Sequence, residues 1–83
     1  MRVVGTIPHE RFTIQIFQMN GKYAVKIELD QFEQIYKIGE VDVLGINDVK
    51  AMVNSDFLNK CLKRFVEMRE DWYDAFTNKN KNN

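Results

Sequence analysis

Residues 11–29 read RFTIQIFQMNGKYAVKIEL, and the fold turns on how this stretch folds back on itself. Phe12, Ile14 and Ile16 alternate with Thr13, Gln15 and Phe17. After an interruption at Met19-Asn20-Gly21-Lys22, Tyr23, Val25, Ile27 and Leu29 alternate with Ala24, Lys26 and Glu28. A period of two is the signature of a strand with one buried face. Asn-Gly between two such runs predicts a hairpin, because both residues tolerate the positive φ of a type I′ turn. With Asn20-Gly21 as the loop, Ile16 falls opposite Val25 and Ile14 opposite Ile27. Both apolar sets then share one face, and a slip by one residue would move one set to solvent.

Working outward, Asp30-Gln31 reads as a turn into a third strand over Phe32 to Ile38. Phe32, Tyr36 and Ile38 take the core parity there, Gln34 shares it, and Ile35 points the other way. This pattern is less regular and suits an edge strand. Residues Arg2 to Ile7 offer a further short strand, ended by Pro8. Gly39 to Gly45 reads as a connector, and Asn47 as the N-cap of a short helix through Val53. Asn54 or Ser55 is placed to cap a long helix to about Asn78, with Asp56 in its first turn, where the helix dipole favours an acid. The expected fold class is α+β. A three-stranded antiparallel meander, extended to four by Arg2–Ile7, is packed on one face by the long C-terminal helix, with the short helix preceding it. Residues 1–78 form one expected domain, and 79–83 an expected disordered polar tail. The expected core includes Phe12, Ile14, Ile16, Val25, Ile27, Tyr36, Leu58, Leu62, Phe65 and Trp72.

On a helical wheel at about 100° per residue, Phe57, Leu58, Cys61, Leu62, Phe65, Val66, Met68, Trp72, Tyr73, Ala75 and Phe76 fill one half. That is wider than the roughly 100° stripe of a helix packed on one surface. The short helix, the N-terminal segment or a second copy of the chain must cover the excess. Arg69 lies within the apolar half. Three roles suit it: a stem packed on the core rim with its guanidinium in water, an interface arginine paired with a partner's acid, or a small anionic-ligand site together with Tyr73. On the polar half, Lys60, Lys63 and Arg64 precede Glu67, Glu70, Asp71 and Asp74, against the dipole's preference. Two such helices packed antiparallel would set bases against acids, as a two-fold homodimer requires. Within one helix, Lys63 and Glu67 are spaced to pair.

Composition narrows the function. The 83 residues carry twelve basic and twelve acidic side chains, for zero formal net charge. Generic nucleic-acid and anionic-membrane binders depend on a basic excess that this chain lacks. The N-terminal apolar run is too short for a signal peptide, and no stretch approaches the roughly 18–20 apolar residues of a membrane span. One cysteine excludes an internal disulfide, so a cytoplasmic location is expected.

Catalytic chemistry finds few groups. His9 beside Glu10 is the one histidine, Cys61 sits among apolar neighbours, and Ser55 is best used as a cap. No zinc, calcium-loop or phosphate-loop spacing occurs, so no catalytic residue, metal or cofactor is expected. The outer sheet face combines Phe17 and Ile35 with Lys22, Lys26 and Lys37, the pairing of aromatic and cation that single-stranded nucleic acids use. The leading expectation is a small non-enzymatic protein-interaction module, homodimeric through the long helix. A weak single-stranded nucleic-acid binder using that outer face is second, and an anion site near Arg69 third.

Overall fold

A computed structural model describes residues 1–79. Four strands, β1 (Arg2–Ile7), β2 (Thr13–Met19), β3 (Lys22–Leu29) and β4 (Phe32–Gly39), form one antiparallel sheet in the order β1-β2-β3-β4. Two helices follow, α1 (Ile46–Met52) and α2 (Ser55–Asn78). The central hairpin closes as the alternation requires, with Ile16 opposite Val25 and Ile14 opposite Ile27. Asn20 and Gly21 take φ of 48° and 76°, both in the left-handed region. Arg2–Ile7 is the fourth strand, and an irregularity between Val3 and Gly5 bends it. A Cβ on Gly5 would stand 2.7 Å from Ile46 Cδ1, so the missing side chain lets α1 close against β1.

The core lies between the sheet and the helices. Ile14, Ile16, Val25 and Ile27 fill the sheet's inner face, with Phe12 just before β2. Val49 of α1 and Leu58, Cys61 and Phe65 of α2 close over them. Phe12 and Phe65 meet with ring centroids 5.6 Å apart. Asn54 caps α2, its side-chain oxygen accepting from Phe57 N at 2.9 Å. The short helix begins differently from the expectation. Gly45, with φ of 140°, takes the N-cap in place of Asn47. Asp48 Oδ2 accepts from Leu44 N at 2.8 Å and so closes the turn ahead of the helix.

Two expected core residues are not in the core. Tyr36 is 40% exposed because β4 is an edge strand, although its ring meets Phe57 edge-on at 5.1 Å. Trp72 is 62% exposed because the sheet ends before it. Leu62 is only half-buried. At 1.5 Å per residue the 24 residues of α2 span about 36 Å, whereas the eight residues of β4 span about 26 Å. Every residue from Arg69 to Lys79 is exposed. The last part of α2 is an overhang. Of the expected tail, residues 80–83 lie outside the described residues, and Lys79 follows the helix with its N–H donating to Phe76 O at 3.4 Å.

Candidate functional site

The overhang carries three large exposed aromatic side chains. Trp72, Tyr73 and Phe76 are 62%, 65% and 61% exposed. Heptad spacing puts Trp72 one full repeat beyond Phe65, so its ring continues the core-facing stripe past the end of the sheet. The wheel's wide apolar half is thereby resolved. The sheet covers the stripe as far as Met68, and none of the described elements covers the rest.

Arg69 bridges the overhang to the sheet. Its guanidinium lies 2.8 Å from Asp30 Oδ2, and both side chains are more than half exposed. Asp30 sits in the β3–β4 turn with φ of 55°, a conformation that aspartate tolerates better than most residues. Asp30 was not visible as a partner in the sequence, since 39 positions separate it from Arg69. An open cleft of about 670 Å³ runs between this turn and the aromatic overhang, lined by Phe32, Arg69, Trp72, Tyr73 and Phe76. An incoming anion would have to compete with Asp30 for the guanidinium. Surface pairing along the helix joins Arg64 to Glu67 at 3.2 Å and Lys60 to Asp56 at 3.4 Å, rather than Lys63 to Glu67.

The outer sheet face collects the other candidate residues. Phe17 stands opposite Ala24, which stands opposite Lys37, and Lys26 stands opposite Ile35. Lys22 is the first residue of β3. Phe17 is half-buried, and Lys26 Nζ is 5.5 Å from its ring centroid. The cation thus occupies the ring face on which a base would stack. Ile35 is 53% exposed, and Lys22 and Lys37 project into water. Arg69 and Tyr73 belong to α2 and so lie on the opposite side of the sheet.

The groups with catalytic chemistry have structural partners. His9 Nδ1 accepts from the amides of Arg11 and Phe12 at 3.1 and 3.2 Å. Its ring stacks on Phe12 at 4.7 Å, so His9 shapes the entry to β2. Cys61 is buried. Burial pushes its thiol up from the ordinary range, and the Tyr36 hydroxyl and Arg64 only partly offset this. Burial likewise raises the Tyr36 phenol, with Cys61 adding to the shift. A thiol held neutral is a poor nucleophile. Gln34, on the core parity of β4, donates to Cys61 O at 2.9 Å and so has a use for its polar end. A second cleft, about 270 Å³ and mostly apolar, lies among Tyr36, Ile38, Met52 and Phe57. It falls just below the roughly 300–1,000 Å³ of small-molecule sites. Among the described residues no cluster of metal-ligating side chains occurs, and no helix is long and apolar enough to cross a membrane. No family model, curated protein or solved structure matches the chain.

Proposed function

We propose that this protein is a non-enzymatic interaction module that associates with a second copy of itself through α2. The observation that carries the reading is the aromatic overhang, Trp72, Tyr73 and Phe76, standing clear of the sheet. A run of large exposed aromatics rimmed by charge is what contact surfaces look like before they are covered. The area is adequate. An aromatic side chain carries about 150–250 Å² and about three-fifths of each of these is still exposed, so three of them on each of two chains can contribute roughly 550–900 Å². Met68, Phe32 and the stem of Arg69 border the patch and bring the total near the ~1,000 Å² of a specific interface. A second copy also suits the charge order of α2, because bases precede acids and antiparallel neighbours complement each other.

Trp72 is the only tryptophan, so the chain carries its own reporter. Sedimentation from micromolar to near-millimolar concentration should show twice the monomer mass, with Trp72 emission moving to shorter wavelength as the dimer forms. The pair of substitutions Trp72→Ala and Phe76→Ala should leave a folded monomer. A wild-type chain that remains monomeric at the highest concentration would refute the proposal.

A further inference from the structure

The strand β4 is an edge of the sheet. Its eight residues contain no proline, and its pairing with β3 runs without a bulge. Edges of this kind are templates for another strand unless something blocks them. The sheet's other edge, β1, is bent by its irregularity at Val3/Gly5. The amide of Glu40 donates to Gly21 O at 2.9 Å and continues the β3–β4 ladder. Antiparallel bonding alternates residue by residue. The backbone groups of Phe32, Gln34, Tyr36 and Ile38 therefore face β3, and those of Glu33, Ile35 and Lys37 face the open edge.

Those three residues also share the outer face of the sheet. Along the strand they run acid, apolar, base, with Ile35 in the middle. Read in the opposite direction the order is base, apolar, acid, which is its own complement. We infer that β4 pairs antiparallel with β4 of a second copy, Ile35 opposite Ile35, joining two four-stranded sheets into one of eight. In that register each Glu33 lies opposite the second copy's Lys37, twice by symmetry. Each chain's open-edge amides and carbonyls at these three positions gain partners.

Glu33 is otherwise badly placed. Its neighbour across the β3–β4 ladder is Glu28, a like charge directly opposite, which is unfavourable. A lysine on its other side offsets that repulsion. The exposure of Ile35 acquires a reason too, because two isoleucines would cover each other at the axis. The arrangement is also compatible with the overhang. Antiparallel pairing brings the Phe32 end of one strand beside the Ile38 end of the other. The overhang leaves the sheet past Phe32, next to Met68 and Trp72. It therefore emerges on the side where the second copy presents Val41 and Leu44, 95% and 97% exposed. The two contacts therefore do not exclude each other. The inference rests on the proposal that the partner is a second copy, but not on the helix supplying the contact.

Charge reversal on the full chain separates the two. Lys37→Glu and Glu33→Lys, each alone, set like charges opposite each other at both symmetry-related pairs. Each should weaken dimerisation by about tenfold. The double variant Glu33→Lys/Lys37→Glu restores opposite charges and should return affinity to within a few-fold of wild type. Monomer circular dichroism controls for folding. In hydrogen exchange the Ile35 amide should be unprotected at dilute concentration and protected in the dimer. If dimers form with neither charge sensitivity nor Ile35 protection, edge pairing is wrong, while loss of those dimers with Trp72→Ala/Phe76→Ala keeps the helix proposal. The converse pattern keeps edge pairing and removes the helix. A double variant as weak as either single one refutes the Ile35-centred register, and a chain monomeric throughout removes both.

Discussion

Two truncations in one helix should differ in stability by an order of magnitude. Phe65 is 2% exposed and packs on Phe12 between sheet and helix. Phe65→Ala removes a ring from a site with little room to collapse and should cost about 3–5 kcal/mol. For a domain of this size, whose total stability is about 4–12 kcal/mol at 0.05–0.15 kcal/mol per residue, that is a large share. Trp72 lies seven residues on, in the same apolar stripe, and is 62% exposed. At concentrations too low for association, Trp72→Ala should stay within about 0.5 kcal/mol of wild type, with the better helix propensity of alanine offsetting small losses. The assay is urea unfolding followed by far-ultraviolet ellipticity, repeated at several protein concentrations. At high concentration the wild type should gain stability by mass action and the Trp72 variant should not. The reasoning is refuted if Trp72→Ala costs 2 kcal/mol or more, on the order of a buried truncation, independently of concentration. The overhang would then be packed within its own chain.

Asn54→Ala removes the acceptor for Phe57 N and should lower the urea midpoint by the equivalent of about 1 kcal/mol, with the unfolding slope unchanged. The pH dependence of stability carries a mark of Cys61. Burial raises its folded-state pKa, so the unfolded chain ionises first as pH rises. The thiol's contribution is whole below the ordinary thiol pKa and is lost as pH climbs through the raised value. Cys61→Ala should flatten this alkaline fall, leaving the part due to Tyr36, whose phenol is raised in the same direction. Equal alkaline slopes in the two proteins would remove the thiol from the account.

Most of the fold was legible because local signals agreed. Asn20-Gly21 set the turn, the turn set the register, and the register put Ile14, Ile16, Val25 and Ile27 on one face. The start of α2 followed from side-chain chemistry within four residues, and of the two caps the sequence offered, Asn54 and Ser55, the structure uses Asn54. What periodicity could not supply was length in space. The stripe that contains Phe65 also contains Trp72, and the wheel treats them alike. Only the end of the sheet, set by strand length, separates a buried ring from an exposed one. The same holds for Tyr36, whose parity was correct and whose exposure follows from its strand being an edge. Asp30 as the partner of Arg69 depends on tertiary closure and leaves no trace in local sequence. The charge order of β4 was readable all along. It gains meaning only once the strand is known to be an edge and its open-side backbone groups are known to be those of Glu33, Ile35 and Lys37.

The order of the elements has a consequence for how the chain is made. The sheet is a meander in which each strand pairs with the one before it, so it is complete once Gly39 has been added. The helix that closes over it is the last of the described elements. Synthesis proceeds at about 5–20 residues per second, and about forty residues separate Gly39 from the end of α2. At that pace the strands are made roughly 2–8 seconds ahead of the end of the helix that buries Ile14, Ile16, Val25 and Ile27. The pairing of the strands is local in sequence, whereas burial of their apolar face waits for the helix that follows them.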